Sequence, residues 1–256
     1  MIRLAVKDAI ATLTIDRPDR LNAMCLAMWQ ALPALVAQAD TDPLVRLIAL
    51  AGAGEKAFCA GADISRFGAE RGDATAAAAY DAAVERAESA LAGAAKPTVA
   101  LIHGLCFGGG LGLALCCDLR LASDAASFRL PAAKLGIGYG LAGVARLHRR
   151  LGPGAAAEIL FAAQVHDAAQ ARELGIATRI FAAAEFSRAC GDYCAAIAAN
   201  APLSLRAAKL ALAFLERPDG GEAAVHAAVA ACYGSADYAE GRLAFAQKRA
   251  PRFEGR

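Results

Sequence analysis

The sequence predicts an α/β fold that finishes in helices alone. Two observations carry this: short apolar runs rich in β-branched residues, at 44–51 and 98–102, alternate with helix-periodic segments, and from 183 onward helical patterns follow one another without a strand. The 256 residues are therefore expected to divide into an α/β core, 1–190, and a C-terminal helical region, 191–256.

The elements follow in order. Residues 2–15 read as two strands with a turn near Lys7 and Asp8, the second alternating through Ile10, Thr12 and Thr14. A polar loop, D-R-P-D-R-L-N-A-M, leads into a helix over 26–39. Residues 44–51, L-V-R-L-I-A-L-A, form a near-continuous apolar run and predict a strand buried on both faces. The small-residue loop F-C-A-G-A-D-I follows, then a polar stretch, 66–73, read as mobile. An alanine-rich helix spans 74–95 and turns Tyr80, Val84 and Leu91 to the core. Residues 98–102 predict a buried strand, and Gly108, Gly109 and Gly110 precede a buried helix at 111–115. A strand is expected at 119–122, then a loop through S-D-A-A-S-F-R-L-P. Helices follow at 141–151, 154–163 and 168–174, with a last strand at 176–181. The finishing helices cover 185–200, 204–216 and 221–231, before the tail S-A-D-Y-A-E-G-R-L-A-F-A-Q-K-R-A-P-R-F.

Composition narrows the function classes. The chain is 57% apolar and 20% charged, enough for a large core, and its net charge of +2 gives no footprint for nucleic acid. No apolar run reaches the ~18 uncharged residues of a membrane span. The opening residues, M-I-R-L-A-V-K-D, space charges through the apolar positions, so no secretory leader is expected and a cytoplasmic enzyme is the default. The eight cysteines stand mostly in apolar context without a CxxC pair, and read as core residues, not as a disulfide or metal framework.

Some patterns are decoys. Residues 138–143 satisfy G-x-G-x-x-G, but the preceding segment is not a strand and Glu158 lies inside a helical pattern, so the dinucleotide reading fails. No G-x-S-x-G elbow is present. His103 ends a buried strand and could orient the glycine loop; His148 reads as solvated, and His166 and His226 as surface residues.

The better signal is the pair of small-residue loops, each following a buried strand. Glycines at a helix N-terminus uncover backbone N–H groups at the positive end of the dipole, a donor for an oxyanion or phosphate; the alternative is a tight loop needing positive φ. If the two strands are neighbours, amides from both loops could converge on one carbonyl oxygen. Such an oxyanion hole suits thioesters, whose enolates need stabilisation.

Four segments then stand in a familiar order: D-R-P-D-R-L-N-A-M, E-K-A-F-C-A-G-A-D-I, I-H-G-L-C-F-G-G-G-L-G-L-A-L-C-C-D-L-R-L-A and Y-A-E-G-R-L-A-F-A-Q-K-R-A-P-R-F. Together they resemble the enoyl-CoA hydratase/isomerase (crotonase) superfamily over nearly the whole chain. The resemblance implies a crotonase-like spiral of ββα units with a C-terminal helical trimerisation region, assembled as a trimer or hexamer. It implies that Ala62 and Gly109 supply the oxyanion amides, and that Ala60, Asp63 and Ile64 line the CoA thioester and adenine. It places Phe245 and Lys248 against CoA, often that of a neighbouring subunit. Coenzyme A then arrives as part of the acyl-CoA substrate, with no permanently bound cofactor and no metal.

Two positions depart from the family. Hydratases of this kind carry two glutamates that handle water; here Gly112 and Ala132 stand in their places and neither carries a proton. Tyr139 remains near the expected acyl pocket, and Gly136-Ile137-Gly138-Tyr139 resembles the G-V-P-Y stretch of the superfamily's methylmalonyl-CoA decarboxylases. A packing tyrosine with its hydroxyl on backbone is the plain alternative. Three readings stay open: a lyase resembling enoyl-CoA hydratase, a decarboxylase or isomerase using Tyr139, and a non-catalytic CoA-thioester binder. Two small residues in place of glutamates predict a roomier, more apolar pocket.

Overall fold

The chain's structure, a computed structural model, describes residues 1–216 and 221–256. Its strands are β1 (Ile2–Lys7), β2 (Ile10–Ile15), β3 (Leu47–Gly52), β4 (Ala57–Cys59), β5 (Thr98–Ile102), β6 (Leu105–Phe107), β7 (Leu119–Ser123), β8 (Ser127–Arg129), β9 (His166–Asp167) and β10 (Arg179–Phe181). The helices of the core are α1 (Leu26–Thr41), α2 (Phe67–Glu70), α3 (Ala74–Ala92), α4 (Gly109–Cys116), α5 (Leu141–Leu151), α6 (Pro153–Ala162), α7 (Ala168–Glu173) and α8 (Phe186–Ala198). The last three are α9 (Pro202–Glu216), α10 (Glu222–Tyr233) and α11 (Ala236–Ala246).

Two sheets grow in step. One runs β1-β2-β3-β5-β7-β10 and the other β4-β6-β8-β9. After the antiparallel β1–β2 hairpin, every neighbouring pair of the larger sheet is parallel, while β4, β6 and β8 pair in parallel and β9 closes antiparallel. From β3 on, the pairs β3 and β4, β5 and β6, and β7 and β8 each lay one strand in each sheet before the chain returns through helix, the spiral of ββα units expected from the resemblance.

Period-two packing accounts for the apolar run at β3. Ile48 and Leu50 face the main core with Trp29, Phe58 and Leu91, while Leu47 and Ala49 face Cys190 and Cys194 of α8 on the other side. The hairpin between β1 and β2 turns at Asp8 and Ala9, with φ of 51° and 62°, the mirror-type turn whose twist suits paired strands. Asp73 caps α3, accepting from the Ala76 amide at 2.8 Å, and Asp167 with Gln170 forms a capping box on α7.

Several sequence expectations are corrected. The stretch 66–73 is not a loose loop: it contains α2, whose Glu70 accepts from the Leu26 amide at 3.0 Å and pairs with Arg66 at 2.8 Å. The loop through 123–131 contains β8, and short β4 and β6 went unread because three-residue strands show no period. His166 is not a surface residue: it is buried in β9 opposite Phe128. No described helix is long and apolar enough to cross a membrane. All eight cysteines are free thiols, seven of them buried. Burial pushes Cys59 and Cys117 up to about 12, a range in which a thiol is inert at neutral pH.

Candidate active site

The D-R-P-D-R-L-N-A-M loop is the scaffold of the first small-residue loop. Buried Asn22 donates to the carbonyls of Ala53 at 2.9 Å and Ala57 at 2.6 Å, and accepts from the Arg17 amide at 3.0 Å. Arg17 reaches the Ala23 carbonyl and, at 2.9 Å, the Asp63 carboxylate. Residues 60–63 are then laced along 21–24: Ala60 N–H donates to Leu21, Met24 N–H to Gly61 at 2.7 Å, and Asp63 N–H to Met24 at 2.9 Å. In a parallel bridge the partner bonds the two residues flanking its opposite number, so the N–H of Ala62, opposite Met24, is turned away.

The second loop passes on that free side. Strands β4 and β6 are parallel neighbours, so the loops that leave them lie side by side. Gly61, at φ of 100°, stands so close that a Cβ on it would come within 3.1 Å of the Phe107 carbonyl and 3.4 Å of the Gly109 nitrogen. Gly108 takes φ of 50° as N-cap of α4, and its amide is held by the Arg129 carbonyl at 2.8 Å. Gly109 opens α4, where an N–H has no partner within the helix. Neither the Ala62 nor the Gly109 amide has an acceptor among the described residues. Trp29 backs the loop, with ring atoms 3.0 Å from where a Gly109 Cβ would stand, and its indole N–H donates to Tyr80 at 2.9 Å.

The side chains beyond the loops are few. Pro131, just before Ala132, lies against Gly108, its Cδ 3.9 Å from that residue's Cβ position. Tyr139 leans on α4 at Gly112, its hydroxyl 3.4 Å from the Cβ position there. That hydroxyl has no partner among the described residues, so the backbone-bonded packing tyrosine is not what is found. Burial, with the Glu88 carboxylate second, raises the phenol above its usual range.

Sequence reasoning missed Glu88. It lies on α3, which reads as a plain alanine-rich helix, and only its spacing, eight residues from Tyr80 on the same face, hinted that it points inward. The structure buries it with Arg146 of α5 at 2.6 Å. Burial raises the Glu88 carboxyl above its ordinary value, Arg146 pulling the other way.

The other expected residues are placed as follows. Ala60 is half-buried and Ile64 exposed, while Asp63 is buried with its carboxylate taken by Ser65 at 2.5 Å and by Arg17. Ser65 first, then Arg17, hold that carboxyl below its usual range against the opposing effect of burial. Phe245, on α11, lines an apolar cavity of about 660 Å³ with α9 and α10, to which neither small-residue loop contributes; Lys248 follows α11 with φ of 54°. His103 does not orient the glycine loop: its ring lies 6.4 Å from Phe186 of α8 and its Nε2 is buried without a partner. The G-x-G-x-x-G stretch follows a 3₁₀ turn at Ala132–Leu135, not a strand.

Comparison with known proteins agrees with this architecture. A family model described as Enoyl-CoA hydratase/isomerase matches residues 5–256. A carnitinyl-CoA dehydratase of Proteus mirabilis is 34% identical over all of this chain and 98% of its own. A crotonyl-CoA hydratase of Syntrophomonas wolfei is 32% identical over 98% of this chain and 97% of its own. Among solved structures, an enoyl-CoA hydratase/carnithine racemase from Magnetospirillum magneticum superposes with a TM-score of 0.94 at 36% identity, covering 100% of this chain and 96% of that one.

Proposed function

The chain belongs to the enoyl-CoA hydratase/isomerase family, and from that premise we propose that it acts on acyl-CoA thioesters as a lyase of the hydratase type. The Ala62 and Gly109 amides form an oxyanion hole and take the thioester oxygen as it gains enolate charge. One observation carries this reading: the two loops that leave the neighbouring parallel strands β4 and β6 touch, and each leaves one amide without an acceptor among the described residues. In the same proposal Ala60, Asp63 and Ile64 line the CoA path. Phe245 and Lys248 meet CoA across a subunit boundary in a trimer or hexamer built through the region after residue 190. No resident cofactor takes part.

Gly112 and Ala132 bear on the reaction. Paired glutamates at those positions are absent, so water has no two-carboxylate cradle there, and crotonyl-CoA is expected to bind while hydrating slowly. The free Tyr139 hydroxyl favours a second reading, decarboxylation or isomerisation, in which a donor holds or protonates the enolate. The experiment is a panel of acyl-CoA thioesters assayed in parallel for binding by calorimetry, for hydration by loss of enoyl absorbance, and for CO2 release. Hydration of crotonyl-CoA at ordinary enzymatic rates would overturn the argument from the missing carboxylates. CO2 release would select the second reading, and binding without any turnover would mark a non-catalytic binder.

A further inference from the structure

We propose that Glu88, delivered from α3 and clamped by Arg146, is the carboxylate that moves protons at this site. The inference rests on the thioester reading above and assigns its base.

The placement comes from three elements. Gly112 lies three residues after Gly109 on α4, hence on the same face of the helix, about one turn from the free amide. A Cβ on Gly112 would overlap Oε1 of Glu88, so the volume a side chain would fill on that face is taken by a carboxylate reaching in from another helix. Tyr139 presents its hydroxyl 3.4 Å from the same point. Thus a carboxylate oxygen and a phenol meet at one point on α4, about one helical turn along from the proposed oxyanion donor.

The two oxygens of Glu88 are not equivalent. Oε2 accepts from Arg146 Nη1 at 2.6 Å, which fixes the carboxylate's position. Oε1, the oxygen turned to Gly112, has no hydrogen bond among the described residues. Oε1 is not one of the sealed, unpartnered polar atoms among the described residues, so it is open to a bound molecule while Oε2 is held. One clamped oxygen and one free oxygen is the arrangement of a base held ready. The groups facing Glu88 are Arg146 from α5, Tyr139 from the segment before it, Cys116 from α4 and Glu85 from its own helix. Arg146 is the one cation among them.

The step balances without another reagent. Oε1 takes a proton from C2 of the acyl chain, the C–H bond breaks, and its electron pair passes into the thioester as an enolate held by the Ala62 and Gly109 amides. In deuterated solvent the resulting carboxylic acid exchanges its proton and returns a deuteron to C2. One C–H has become one C–D, and the carboxylate is restored.

The test uses butyryl-CoA, which has a C2 proton but no double bond, incubated with the full chain in D2O and followed by proton NMR, with binding measured by calorimetry. The unmodified protein should deuterate C2. Glu88→Gln should slow exchange by about 10² to 10⁴ while binding changes by less than about threefold, a split that a merely structural role would not produce. Gly112→Ala, which keeps both members of the ion pair but displaces Oε1, should slow exchange at least tenfold with the circular dichroism spectrum unchanged. It decides the matter if Glu88→Gln does not fold. Exchange that survives Gly112→Ala and Glu88→Gln, or that is lost in Tyr139→Phe alone, overturns the assignment while leaving the thioester reading intact. Binding of butyryl-CoA without exchange in the unmodified protein overturns it as well. No binding of any CoA thioester would bring down both.

Discussion

In the core, Trp29, Phe58, Tyr80 and Phe128 are fully buried, whereas on α9 and α11 Leu212, Leu215 and Phe245 stand 63%, 72% and 88% exposed. The two regions treat their large apolar side chains oppositely. The core closes on itself because two sheets in step, with α1, α3 and α4 between and behind them, enclose both faces of the central strands. Helices α9 and α10 pack mainly on one another, and α10 buries no residue at all. Polar ties hold the tail: Asp237 accepts from the Glu254 amide at 2.6 Å and the Gly255 amide at 2.9 Å, and Arg46 reaches the Phe253 carbonyl from the core. Exposed apolar side chains on the last helices are what the proposed assembly would cover, whereas the core hides its own.

This contrast can be broken most severely inside the core. Trp29→Ala should cost about 3–5 kcal/mol of unfolding free energy, since it empties a fully buried indole site and removes the donor to the Tyr80 hydroxyl. Chemical denaturation followed by circular dichroism measures it, and a loss below 1 kcal/mol would contradict the self-contained core.

Gly109→Pro tests function at that same wall. Proline is tolerated at the first position of a helix, so α4 should persist, but one amide donor disappears and the new ring presses on Trp29, 3.0 Å from the Cβ position. Turnover of whichever thioester the panel identifies should fall by about 10² to 10³, near 3 kcal/mol of transition-state stabilisation. Unchanged turnover would remove Gly109 from the oxyanion hole.

Acid sharpens the comparison through the loop that carries Ala62. Because Asp63 is held below its unfolded value, its ionised form stabilises the fold above the ordinary carboxylate pKa of about 3.9, and that contribution is lost as pH falls through the lower folded value. Asp63→Asn should therefore lower stability at pH 7 and flatten its decline below pH 4. Parallel stability curves for the two proteins would refute this.

The smallest effect on folding is expected where exposure is greatest. Phe245→Ser should change stability of the isolated chain by less than about 0.5 kcal/mol, yet weaken assembly, read as a shift toward slower-sedimenting species at micromolar concentration. A fully monomeric unmodified protein in that experiment would defeat the trimer or hexamer proposal.

Local chemistry made much of this legible in the residues alone. The run at β3 announced a strand covered on both faces, the triplet Gly108–Gly110 announced a close backbone approach, and the helices after residue 183 follow from apolar spacing over many turns. Gly112 and Ala132 were visible as absences because a family likeness says what usually stands there. Short β4, β6 and β8 could not be read, since three residues carry no period and they exist through pairing with one another. Nor could the pairing of Glu88 with Arg146. They lie 58 residues apart, on helices whose sequences look ordinary, and their meeting at 2.6 Å beside Gly112 is set by how α3 and α5 pack against α4. Backbone conformation and hydrophobic period are local and survive in the sequence. The position of a buried charge depends on which distant partner offsets its desolvation, and that is decided only when the chain has folded.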